Sequence, residues 1–156
     1  QRQMCIRDSF KRFSLAPSPL VPNQISLVWE EQDSDMYLDA QSLSDGTLRF
    51  IALATLLFQP NPPKTIVIDE PELGLHPVAI EKLAALVRVA SHKAQVIIAT
   101  QSSSFVSCFE PEDIVVVERK EGSTAFVRPD KERLASWLEN YSLGELWEKN
   151  LIGGKP

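Results

Sequence analysis

Two adjacent carboxylates, Asp69 and Glu70, close the run Thr65-Ile66-Val67-Ile68, and Pro71 breaks the chain directly after them. The β-branched run reads as a strand covered on both faces, the kind found in parallel sheets. Charge is thus placed where a buried strand should surface. Open α/β sheets hold ligands beyond the carboxyl ends of their strands. A strand-end Asp69 can hold magnesium directly or through water, because magnesium wants hard oxygen ligands and keeps several waters. The adjacent Glu70 points elsewhere and can orient or deprotonate an attacking water. The plain alternative is a solvated acidic turn before the next helix. The continuation Gly74-Leu75-His76-Pro77 weighs against it.

A second candidate lies upstream, in Leu43-Ser44-Asp45-Gly46-Thr47. It opens an apolar helix. Free backbone N–H groups and the helix dipole make such a start attractive to phosphate. Ser44 adds a hydroxyl, and Gly46 allows close approach to the backbone. Alone, this would be an ordinary N-cap; its place before the Asp69-Glu70 strand gives it weight.

The elements that must position these residues follow from pattern. Residues 44–58 read as a helix apolar nearly all round, hence buried on most sides, and Pro60, Pro62 and Pro63 end it. Residues 65–68 form the strand. Pro77 suits the first turn of the next helix, where Ile80, Leu83, Ala84 and Val87 make one stripe. Residues 95–99 are a second buried strand, so the span is a βαβ unit with a right-handed crossover. Upstream, the three prolines in 10–23 predict a loop or linker. Residues 25–29 predict a strand, 32–35 a turn and 36–38 a short return strand. Downstream, 114–117 and 124–127 predict strands around the turn at 121–123. Two helices follow, with Asp130 capping the first and Ser142 with Glu145 forming a capping box for the second.

At 156 residues, 44% of them hydrophobic, the chain can bury one ordinary core. A net charge of −5 gives no general pull toward nucleic acid. Cys5 and Cys108 have no metal-ligand spacing, so a reducing cytoplasm is the expected location. The longest apolar stretch, 50–58, falls far short of the roughly 20 residues that span a bilayer, so no membrane role is expected. Residues 1–9, QRQMCIRDS, resemble a translated sequencing-adaptor tail and are set aside.

The ordered motifs resemble those of ABC-type ATPase heads, particularly the RecF/SMC-like and AAA-type predicted ATPases of bacteria. Leu43 to Thr47 is similar to their signature motif, Ile66 to Glu70 to the Walker B strand, and Leu73 to Pro77 to the D-loop. Thr100-Gln101-Ser102 lies where the switch motif falls. The resemblance is good over residues 40–120, and the segment from Gly144 onward is also similar. It implies an α/β fold, a partial P-loop NTPase domain with a mostly parallel sheet flanked by helices. It implies ATP and Mg2+ as ligands, and a homodimer that sandwiches ATP. Ser44, Asp45 and Gly46 of one head would face the γ-phosphate held by the other. Asp69 would support magnesium, Glu70 would polarise water, and Gln101 would touch the γ-phosphate or the water. Leu75 and His76 would run along the dimer seam, His76 in a backbone-positioning or interface role. DNA or an effector protein are the candidate macromolecular partners.

Three departures from the pattern matter. The loop G-x-x-x-x-G-K-[ST] is absent, so residues 10–156 read as the C-terminal half of a head. Asp45 replaces a glycine beside a polyanion, and its charge should repel phosphate unless it faces away or pairs with Arg49 one turn on. Gln101 replaces the usual switch histidine; an amide can orient water but cannot shuttle a proton. The last two motivate an alternative reading, a degenerate head that binds nucleotide or a partner without turnover. A third reading, a metal-dependent nuclease or TOPRIM-like domain, would want acids at a neighbouring strand end. Thr100-Gln101-Ser102 supplies none. The other candidates read as structural. His92 sits at a helix end, the three tryptophans pack, Cys108 is core, and Glu110, Glu112 and Asp113 form a solvated turn.

Overall fold

The computed structural model describes residues 10–17, 21, 23–32, 37–120 and 122–154. They fall into two compact units, one ending at Leu48 and one beginning at Arg49.

The first unit holds an antiparallel sheet of β1 (Phe10–Pro17), β2 (Ile25–Glu31) and β3 (Tyr37–Asp39), in that order. The expected β2–β3 hairpin is present, its turn at 33–36 lying outside the described residues. β1 overturns the expected linker. It is an edge strand, and its last paired residue is Pro17, opposite Ile25. Proline is tolerated there because its missing N–H interrupts no interior ladder. Trp29 is fully buried, and its indole N–H donates to the Ser42 hydroxyl at 2.9 Å. That hydroxyl in turn donates to the Asp39 carbonyl at 2.6 Å. Asp39 caps the short 3-10 turn Ala40–Ser42 that leads to Leu43 and Ser44.

Pairing β1 with β2 also brings two cations to a carboxylate that the sheet buries. Glu30 is only 4% exposed. Arg12 meets it at 2.7 Å and Lys11 at 3.3 Å. The Arg12 hydrogen bond holds the Glu30 carboxyl below its ordinary range. A depressed carboxylate adds stability that is present above its unfolded pKa and lost as pH falls through the lower folded value. The β1–β2 pairing should therefore loosen on acidification below the ordinary glutamate range, about 4.3. Arg12→Ala should weaken it already at neutral pH and flatten its acid dependence. Trp29 fluorescence, with Trp137 and Trp147 changed to Phe, reads both effects; identical acid profiles for the two proteins would refute the pairing's role.

Helix α1 (Asp45–Leu57) runs into the second unit. That unit continues with β4 (Thr65–Asp69), α2 (Pro77–Ser91), β5 (Gln95–Ala99) and α3 (Ser103–Val106). A hairpin of β6 (Val116–Lys120) and β7 (Ser123–Val127) follows, then α4 (Lys131–Leu138) and α5 (Leu143–Glu148). β4 and β5 pair in parallel, Asp69 opposite Ala99, which gives the expected βαβ unit. The α2 stripe Ile80, Leu83, Ala84 and Val87 is buried as the periodicity predicts, in one core with Leu57, Ile66 and Phe105. Asp130 and the Ser142–Glu145 box cap their helices. Glu110 and Asp113 form a capping box around a 3-10 turn, and Glu112 pairs with Lys131 at 2.6 Å.

Two burial expectations are corrected. The β4–β5 pair was expected to be covered on both faces. Ile66, Ile68, Val96 and Ile98 turn toward the core, but Val67 is 72% and Ile97 47% exposed on the other face. α1 was expected to be buried on most sides, yet Leu57 is its one buried residue, and Ala52 and Thr55 are exposed. Each apolar surface meets the core along one side and is exposed along the other.

Candidate active site

β4 ends at Asp69, but its ladder runs one residue further, because the Glu70 N–H donates to the Ala99 carbonyl at 2.9 Å. Glu70 then takes a left-handed backbone, φ 42°. That region costs a non-glycine residue about 1–2 kcal/mol, and such outliers gather at functional sites. The chain turns back at once: Leu73 N–H bonds the Glu70 carbonyl and Leu75 N–H the Glu72 carbonyl. Gly74 at φ 77° completes the turn. Arg49 of α1 donates to the Leu73 carbonyl at 3.0 Å and so ties the helix to this loop.

The parallel register sets the residues after β5 beside this turn. Gln101 follows Thr100 there, and its Nε2 lies 3.4 Å from Glu70 Oε1. Glu70 and Gln101, far apart in sequence, thus meet at the carboxyl edge of the sheet. Asp69 is exposed beside them. No cluster of three or more His, Cys, Asp or Glu side chains suited to a metal occurs among the described residues. Asp69 offers a single exposed carboxylate at the strand edge, a donor that suits magnesium where phosphate and water fill the remaining positions. It does not fit a metal caged by protein alone.

Ser44 stands exposed at the start of α1. Its hydroxyl accepts from the Thr47 N–H at 3.2 Å and lies 2.9 Å from the Thr47 hydroxyl, so it caps the helix. Asp45 is exposed in the first turn, where a carboxylate complements the dipole. Gly46 follows it, half-buried. Leu75 packs against the core, while His76 is the N-cap of α2, accepting from the Val78 N–H through Nδ1 at 3.3 Å. Cys108 packs against the core, and burial pushes its thiol up, away from the poise of a nucleophile. A hollow of about 180 Å³ between α2, β5 and α3, lined by Arg88, Phe109 and Asp113 among others, contains none of the predicted site residues. The chemistry is better sought at the strand edge, where carboxylates and amide converge.

Sequence reasoning missed three participants: Arg49 as a tether of the loop, and Glu72 with Thr100. The Thr100 hydroxyl donates to Glu72 Oε1. The available signal was the parallel register, which puts the residue after Ala99 level with the segment after Asp69.

A parallel βαβ unit with carboxylates at its strand edge is an α/β arrangement found in P-loop NTPase domains, ABC- and SMC-like ATPase heads among them. Solved structures carry that fold match. One, titled "Structural biochemistry of ATP-driven dimerization and DNA stimulated activation of SMC ATPases", aligns with a TM-score of 0.60 at 19% identity, over 81% of this chain and 78% of its own. Another, "Crystal structure of the SmcHead bound to the C-winged helix domain of ScpA", has the same score and identity over 80% of this chain and 38% of its own. At these identities the likeness shows the fold. Residues 6–107 match the family described as "AAA domain, putative AbiEii toxin, Type IV TA system", and the chain belongs to that family. A curated relative, the phosphate import ATP-binding protein PstB 2 of Ligilactobacillus salivarius (strain UCC118), is 28% identical over 118 residues. The match covers 71% of this chain and 45% of the relative, so the chain spans about half the relative's length. No helix among the described residues is long and apolar enough to cross a membrane.

Proposed function

We propose that this chain supplies the hydrolytic half of an ABC-type head that binds ATP and Mg2+ and dimerises around the nucleotide. The observation that carries the reading is the meeting of Glu70 and Gln101 at the strand edge, 3.4 Å apart, beside an exposed Asp69. Asp69 holds magnesium as one oxygen ligand. Glu70 accepts a proton from the attacking water as it adds to the γ-phosphorus in line with the departing ADP oxygen. Gln101 donates its amide to Glu70 or to that water and fixes the direction of attack. The strained backbone at Glu70 supports this, since glycine would occupy the position without cost.

Ser44 and Asp45 are exposed at the start of α1, with Gly46 half-buried behind them, and an open start of this kind suits a contact with phosphate held by a second head. Leu75 and His76 shape the turn between Glu70 and α2 and so set the seam. The partner head is a second copy of the same protein. DNA or an effector protein is the object that the nucleotide cycle moves. The bare apolar face of β4–β5, with Val67 and Ile97 exposed, supports a head in which further structure covers this sheet. Asp45 supports the second reading, a head that binds without turnover, because an exposed carboxylate in the first turn of α1 would repel a phosphate brought there.

The test is direct. Purified residues 10–156 should hydrolyse ATP poorly or not at all, and the full natural protein with its phosphate loop should turn over. Robust phosphate release from residues 10–156 alone would contradict this division of labour. Tight ATP binding without release by the full protein would favour the second reading.

A further inference from the structure

Glu72 is an acid that the proposed mechanism does not use. It lies two residues beyond Glu70, is 8% exposed, and forms no ion pair among the described residues. Its Oε2 is buried without a hydrogen-bond partner. Burying a carboxylate this way is costly unless its remaining contact does something useful. That contact is with Thr100, whose hydroxyl donates to Glu72 Oε1. The same Thr100 oxygen accepts from the Ser102 N–H at 3.0 Å. Ser102 is itself fixed, its hydroxyl accepting the Phe105 N–H as the N-cap of α3.

The residues on both sides of Gln101 are therefore held through one carboxylate. That carboxylate rides on the same turn as Glu70, the group Gln101 reaches. We infer that Glu72 is a positioning residue: through Thr100 it sets Gln101 at working distance from Glu70. The inference rests on the roles given to Glu70 and Gln101 above. The grip is local, so it bears on the alignment of the water rather than on nucleotide affinity.

The experiment uses the full natural protein and steady-state ATPase kinetics. Glu72→Ala and Thr100→Val should each lower kcat by about 10- to 100-fold, as a small misplacement near the chemistry does. KM for ATP should stay within about twofold in both, since uniform binding is untouched. Glu72→Gln keeps an acceptor for Thr100 and should recover most of the loss. In a Gln101→Ala background, Glu72→Ala should lower kcat no further, because the group it positions is gone. A merely structural role would instead add its full loss in that background. Additive losses, or a wild-type kcat in both Glu72→Ala and Thr100→Val, would overturn the inference. Thr100→Val, nearly the same shape as threonine, carries the test should Glu72→Ala fail to fold. Glu70→Gln separates the two levels. If it abolishes turnover while the Glu72 and Thr100 variants stay active, the positioning role alone fails. If it leaves turnover intact, the underlying reading fails and this inference with it.

Discussion

Glu70→Gln in the full natural protein should lower ATP turnover by about 10²- to 10⁴-fold, the span attached to a positioned general base. The substitution preserves size and shape and leaves the backbone bond from Glu70 N–H to the Ala99 carbonyl unchanged. What it removes is the proton acceptor proposed for the attacking water. The Gln101 amide, now 3.4 Å from a carboxylate oxygen, would face a neutral amide, and neither group could take the proton from water. The magnesium role proposed for Asp69 and the proposed phosphate contacts would be untouched, so ATP binding should persist. A dimer that is closed by ATP and opened by hydrolysis should then accumulate. Phosphate release measures the first effect, and light scattering with and without ATP the second. Unchanged turnover would remove Glu70 from its role; lost turnover without a trapped dimer would sever hydrolysis from dimer opening.

Much of this arrangement was legible in sequence, for identifiable reasons. The β4–α2–β5 unit carries uninterrupted β-branched runs and a single apolar stripe, a pattern that marks strand, helix and strand and the helix face that turns to the core. Ser142 with Glu145 and Asp130 cap their helices as read, because those bonds span only a few residues. β1 was missed because three prolines outweighed the apolar spacing of Phe13 and Leu15. Only the pairing with β2 reveals an edge strand that tolerates Pro17. Burial was overestimated at Val67, Ile97 and α1 for a different reason. A sequence records which faces are apolar, not what comes to cover them. The parallel register puts Thr100 and Gln101 beside the segment after Asp69, but it does not say which acid each of them meets. A third acid in Asp-Glu-Pro-Glu looks solvated until the register places a hydroxyl beside it.

Gly144→Ala should be among the most destabilising single substitutions in the second unit. Gly144 lies in the first turn of α5, where α5 crosses α3 closely enough that the Gly144 N–H donates to Ser107 Oγ at 3.2 Å. A Cβ at this position would fall well inside van der Waals contact of the Ser103 carbonyl oxygen and of Ser107 Oγ. The carbonyl cannot swing aside, because it also accepts backbone and side-chain bonds from Ser107 at 2.9 Å and 2.8 Å. Relief must come from moving α5 away from α3. That motion opens the small core of Val106, Leu134, Leu143 and Leu146 and strains the Ser107–Ser142 contact at 3.1 Å. Overpacking costs typically about 1–3 kcal/mol, and contact with backbone rather than a flexible side chain puts this site at the upper end. At roughly 2–4 °C per kcal/mol for a domain of this size, the thermal midpoint should fall by about 6–12 °C. The loss should spread to α3, whose N-cap Ser102 directly follows Gln101, so turnover should decline at temperatures where the fold still holds. A midpoint within a degree or so of the unsubstituted protein would mean that the two helices are not in the close contact described.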